Sequence, residues 1–167
     1  MKFALTFIFF LGLNFGALFL GNVLMNNGAT SDWYLNLNKA PWTPAGWVFG
    51  AAWTSVMLFF SVYMTFLYQN LKTQKVILLY ALHLLFNISW NFIFMNKHMI
   101  ILGLIDISLL TILMFYFLIA HSKILNNVRF FVLPYCIWLL IATSLNLYIV
   151  IYNWWKYIGY KPNKTYL

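Results

Sequence analysis

The chain has 167 residues, the size of one domain, of which 64% are hydrophobic and only 7% charged. Soluble proteins carry about 25% charged residues, so water is not the main solvent of this surface. Ten Lys and Arg stand against two acids, Asp32 and Asp106, but the basic residues are spread through short polar gaps; that suits anionic lipid headgroups and argues against a nucleic-acid partner, which needs a basic face.

Five nearly uncharged runs follow one another, at about 3–25, 44–68, 76–95, 99–120 and 130–152. Each has the roughly 20 residues that a helix needs to cross about 30 Å of hydrocarbon. The expectation is an all-α, polytopic membrane protein: a single domain, 1–167, built as a five-transmembrane-helix bundle in membrane lipid. A β-barrel would instead show segments of about ten residues with alternating polarity, and none is present. The first run follows Lys2 as in a signal peptide, yet it outlasts an h-region of about 7–15 residues and lacks a small-x-small cleavage site, so a retained helix is expected. Gly12 and Gly16 within it form a G-x-x-x-G pair, which permits close helix approach inside the chain or in a homodimer.

The loop at 26–43, "NNGATSDWYLNLNKAPWT", carries Trp33, Tyr34, Leu35, Leu37 and Trp42, and is expected to fold over one end of the bundle as a lid. Pro41 and Pro44 mark the entry to the second run, since proline is tolerated in a helix's first turn. Gly46, Gly50, Trp53 and Met57 then share a helical face on which small residues leave room and Trp53 closes it. Trp42 and Trp47 are read as interfacial anchors and Trp53 as the ring that touches ligand. In the third run, "LHLLFNISWNFIF", His83, Asn87, Trp90 and Phe94 recur at spacings of four, three and four, which is one helical stripe. Asn87 near mid-span must point inward, because an amide facing hydrocarbon costs several kcal/mol. It serves as interhelical glue, as a ligand contact, or as both.

Asp106 is the one acid within a span: either a functional group or the acceptor of a bond from a neighbouring helix. In the fifth run Pro134 occupies the first turn or kinks the helix, and Tyr135, Trp138, Ala142 and Leu145 share a face. The short links "QNLKTQK", "NKH" and "HSKILNNVR" predict that consecutive helices are antiparallel neighbours. Basic residues divide evenly between the two sides, with Lys2, Lys72, Lys75, Lys123 and Arg129 against Lys39, Lys97, Lys156, Lys161 and Lys164, so the positive-inside rule assigns no orientation. Cys136, the single cysteine, excludes an internal disulfide and a cysteine-based metal cage. His83, His98 and His121 lack ligand-like spacing and no Ser–His–acid set or paired carboxylates occur, so neither a metal site nor a catalytic constellation is expected. Faces that pair an indole with a small residue admit two readings, a slot for a flat apolar molecule or ordinary packing.

"APWTPAGWVFGAAWT" after an aromatic loop, "FNISWNFIF" in the third run, Asp106 in the fourth and "LPYCIWLLIATSLNLYI" in the fifth together resemble the translocator protein family, also called TspO, tryptophan-rich sensory proteins or peripheral benzodiazepine receptors. The resemblance covers nearly the whole chain. It implies a five-helix membrane protein, often dimeric, that binds tetrapyrroles such as protoporphyrin IX and, in animals, cholesterol and synthetic isoquinolines, in a pocket under the first loop. Porphyrin is then a ligand, and no cofactor is required. By position the resemblance assigns Trp53 and Trp138 as pocket tryptophans, Asn87 as the polar contact, Ala142 as the small wall residue, Tyr34 as the loop contact, and Pro41, Gly46, Trp90 and Leu145 as further wall. His83 stands where some relatives have Asn or Gln and is taken into the same wall; Ala45 stands where relatives commonly have a second proline. Light-dependent porphyrin breakdown, reported for some members, would fall to Trp53 and Trp138. A weak sterol motif, Val150, Tyr152 and Lys156, competes with a plainer reading of this segment as an interfacial belt.

Overall fold

The computed structural model of the chain describes residues 2–154, and every regular element among them is a helix or helical turn. The helices are α1 (Lys2–Met25), α2 (Asp32–Leu35), α3 (Gly46–Asn70), α4 (Gln74–Trp90), α5 (Ile100–Ala120), α6 (Ser122–Leu125) and α7 (Leu133–Asn153). Five spans, built on α1, α3, α4, α5 and α7, are long and apolar enough to cross a membrane.

Local chemistry sets the boundaries. Asn26 and Asn27 end α1 with φ of 49° and 60°, the left-handed region that Asn tolerates better than most residues. Thr73 caps α4, its side chain accepting from the Val76 amide at 3.3 Å. Pro44 falls outside α3 rather than in its first turn, because the capping residue Ala45 is extended at φ −60°, ψ 149°. Pro134 does occupy the first turn of α7, where its missing N–H costs nothing. The third span continues past α4 as a π-helical turn, Asn91–Asn96, in which the Lys97 amide reaches back five residues to the Phe92 carbonyl at 2.9 Å. Within the fifth span, Ser122–Asn153, the α-helix α7 begins a few residues after residue 130, since Asn126–Val132 forms 3₁₀ turns.

Two helices bury narrow stripes of matching period: Phe10, Asn14, Ala17 and Gly21 on α1, and Val76, Tyr80, His83 and Asn87 on α4. Around the bundle α1 lies between α3 and α4, α5 between α4 and α7, and α7 closes against α3. The expectation that consecutive spans are neighbours therefore fails for α3 and α4, which meet mainly through large side chains such as the Phe60 and His83 rings, 4.6 Å apart. Asn14 supplies the reason: it donates to Ser61 Oγ at 2.8 Å and accepts from Tyr80 Oη at 2.8 Å, holding α1 between the two. Such bonds are worth about 0.6–2 kcal/mol each within a membrane. Gly12 and Gly16 face away: among the described residues no other helix comes within 4 Å of where a Cβ would stand.

Candidate ligand-binding cavity

At the end carrying the first loop the spans diverge around a cavity of about 850 Å³, within the roughly 300–1,000 Å³ of small-molecule sites. Its deep wall holds Trp53 from α3 and Trp138 from α7, with ring centroids 6.4 Å apart and planes at 81°. Room beside them comes from residues without bulk. A Cβ on Gly46 or Gly50 would meet nothing within 4 Å, and Ala142 lies one turn along α7 from Trp138.

Asn87 provides polarity at this depth. Its Nδ2 donates to Tyr135 Oη at 2.7 Å. The same phenol oxygen lies 3.1 Å from His83 Nε2, and Asn87 Oδ1 is not engaged by either group. Higher up, Trp90 stacks on Phe94 at 5.1 Å and donates through Nε1 to Asn146 Oδ1 at 3.2 Å, tying α4 to α7 beside the opening. The π turn presents Phe94 and Met95 to the same wall, and π turns recur at functional sites.

The loop forms the roof. Gly28 seats against Met95 so closely that a Cβ would come within 2.7 Å of it, a contact open only to glycine. Trp33 meets Phe94 edge-on at 5.6 Å and stacks on His98 at 4.0 Å. Leu37 is buried among Phe94, Met95, Ile100 and Ile149. The Asn38 amide donates to Asn153 Oδ1 at 2.9 Å and Asn153 Nδ2 donates to the Asn38 carbonyl at 3.0 Å, clamping loop to α7. Tyr34 lines the cavity from above, and burial pushes its hydroxyl above the ordinary tyrosine value, so it stays protonated.

Tyr34, Gly46, Trp53, Asn87, Trp90, Trp138, Ala142 and Leu145 thus converge on one space. Two residues assigned to the wall do not reach it. His83 is fully buried and sits beyond Tyr135, part of the hydrogen-bonded floor support rather than the lining. Pro41 is turned outward, because Ala40 beside it is buried and the Thr43 amide folds back on the Ala40 carbonyl at 2.9 Å; Thr43 and Pro44 line the opening instead. Met57 and Tyr135 continue the expected faces below the cavity as packed core. Trp42 and Trp47 are both exposed, Trp42 donating to Ser144 Oγ at 3.2 Å. Asp106 accepts from Ser89 of α4 at 2.7 Å, the interhelical alternative, and does not line the cavity. Of the sterol motif, Val150 packs on the Phe94 cluster, Tyr152 is exposed and stacked on Tyr148 at 4.1 Å, and Lys156 lies outside the described residues. Among the described residues no three His, Cys, Asp or Glu side chains gather as a metal site.

The model of the TspO/MBR family matches residues 6–152, most of the chain. The chain belongs to the TspO/MBR family. It is similar to a tryptophan-rich sensory protein of Cereibacter sphaeroides, 29% identical over 74% of this chain and 78% of the relative. The tryptophan-rich protein TspO of Chlorobaculum tepidum is 28% identical over 89% and 96%, and that of Archaeoglobus fulgidus 28% over 75% and 82%. With five apolar spans, this TspO/MBR member is an integral, multi-pass membrane protein.

Several cavity residues escaped the sequence reading. Phe15, Leu18 and Asn22 bring α1 into the wall, and Lys39 comes from the loop. The α1 stripe carried a readable signal, polar Asn14 at helical spacing from Phe10 and Ala17. Lys39 carried none, because the loop's course depends on Asn153, far away in sequence.

Proposed function

We propose that this protein binds a tetrapyrrole of the protoporphyrin IX type in the cavity, for sensing, sequestration or transport, with the first loop as lid. The observation that supports it best is the pairing of two indoles, Trp53 and Trp138, with open space beside Gly46, Gly50 and Ala142 under an anchored roof. Flat aromatic faces reward a planar guest by about 0.5–1.5 kcal/mol per contact beyond area burial, and Asn87 Oδ1 offers an acceptor for a ring N–H. Titrating purified protein with protoporphyrin IX and following the shifted Soret band tests this. Saturable binding is expected, weakened roughly threefold or more in Trp138→Phe and Asn87→Ala. Non-saturable binding, or identical affinity in both variants, overturns the reading. The presence of both oxidisable indoles on the cavity wall also favours a second reading, light-dependent porphyrin degradation; a Soret band that fades under light only while Trp53 and Trp138 are intact would select it.

A further inference from the structure

We propose that Lys39 makes the cavity selective for planar ligands that carry an ionised carboxylate on one edge, and that this edge lies at the mouth while the apolar edge faces Trp53 and Trp138. The inference rests on the tetrapyrrole reading above and adds the ligand's charge and orientation.

Among the described residues Lys39 is the only charged side chain that lines the cavity; neither Asp32 nor Asp106 does so. Its position is built rather than incidental. The preceding residue, Asn38, is held to α7 by both bonds with Asn153 and by a third from its Nδ2 to the Tyr152 carbonyl at 3.1 Å. The following residue, Ala40, is buried. The ammonium then lies 4.6 Å above the Tyr34 ring, another lining residue, which keeps it at the roof. A single positive charge beside apolar walls attracts an anion more strongly than it would in open water. Deeper in, the lining offers amides, hydroxyls and indoles but no charge, so a carboxylate buried there would lack a counter-ion. Only one insertion direction satisfies both ends of an amphipathic disc. A lipid phosphate at the membrane surface has the same anionic chemistry, and the experiment separates the two sources.

The full chain is titrated with protoporphyrin IX and with its dimethyl ester in nanodiscs of phosphatidylcholine alone and with added phosphatidylglycerol. Wild type, Lys39→Met and Lys39→Arg are compared. The expected result is that Lys39→Met weakens the free acid roughly fivefold, leaves the ester unchanged in both lipids, and that Lys39→Arg keeps the preference for the acid. Equal losses for acid and ester, or an unchanged acid affinity in Lys39→Met, overturns the inference, as does an effect seen only in phosphatidylglycerol, which would assign Lys39 to the lipid. Ester binding with no selectivity for the acid sinks the Lys39 inference while the cavity reading stands. Failure of both ligands to bind wild type removes both.

Discussion

At the end of the bundle that holds the start of α1, Phe60, Tyr63, Met64, Phe117 and Leu139 are at most 1% exposed and belong to one packed cluster. At the opposite end Phe49, Trp53, Trp90 and Phe94 are as bulky, yet they border about 850 Å³ of open volume. Aromatic content is therefore not what hollows the molecule. At the closed end large rings face large rings, as in the edge-on contacts of Phe117 with Phe60 and Tyr63 at 5.7 and 5.9 Å, and Tyr63 Oη is spent on the Phe117 carbonyl at 2.6 Å. At the open end the rings look across at Gly46, Gly50 and Ala142, and backbone irregularity adds to the gap where α4 unwinds into its π turn. The open-end rings have ring partners too, Trp53 and Phe49 on Trp138 and Trp90 on Phe94, but the space beside them is bordered by residues without bulk.

Truncation and filling should have opposite consequences at the two ends. Phe60→Ala removes a ring from a region packed on every side, and large-to-small changes of this kind cost about 3–5 kcal/mol in water-soluble cores. About 2 kcal/mol or more is expected here, because the unfolded reference within a membrane is also apolar and mainly packing is lost. Thermal unfolding in a fixed detergent measures it; an unchanged midpoint would mean that the closed end is looser than its geometry. Ala142→Phe instead adds a ring to existing space. Porphyrin affinity should fall tenfold or more while the unfolding midpoint moves little, and a large loss of stability without loss of binding would reverse the contrast between the ends.

How much of this was legible follows from the kind of information each feature needs. The five spans, the inward Asn87 and the shared faces of Trp53 and Trp138 depend on local periodicity, and periodicity was enough. Periodicity gives a face but not a depth, so the stripe that sets His83 one turn from Asn87 does not show that His83 lies below the lining and supports the floor through Tyr135. Short links gave antiparallel spans but not their order round the bundle. Asn14 decides that order by bonding both ways at once, and its partners lie 47 and 66 residues away. The loop was recognisable as a lid from its aromatic content, but which of its residues look inward is set by the clamp of Asn38 on Asn153, 115 residues apart. That clamp turns Pro41 out and Lys39 in.

The smallest effect expected concerns acid sensitivity at the closed end. His121 is buried just beyond α5, with Nδ1 3.4 Å from Tyr63 Oη and from the Phe117 carbonyl. Desolvation holds its pKa below the ordinary histidine value, helped by the positive charge of Lys75 and opposed by the carbonyl contact. In the window between that lowered value and about 6.5, the unfolded chain takes up a proton that the folded one refuses. Stability from this site is therefore complete above about pH 6.5 and declines as pH falls through that window. Acidification should therefore loosen the packing around Tyr63 and Phe117 at the closed end. Thermal midpoints measured from pH 7.5 down to 5 should drop more steeply in the wild type than in His121→Gln, which keeps a donor near the same carbonyl but does not titrate. Equal slopes in the two proteins would move the acid-sensitive group elsewhere in the bundle.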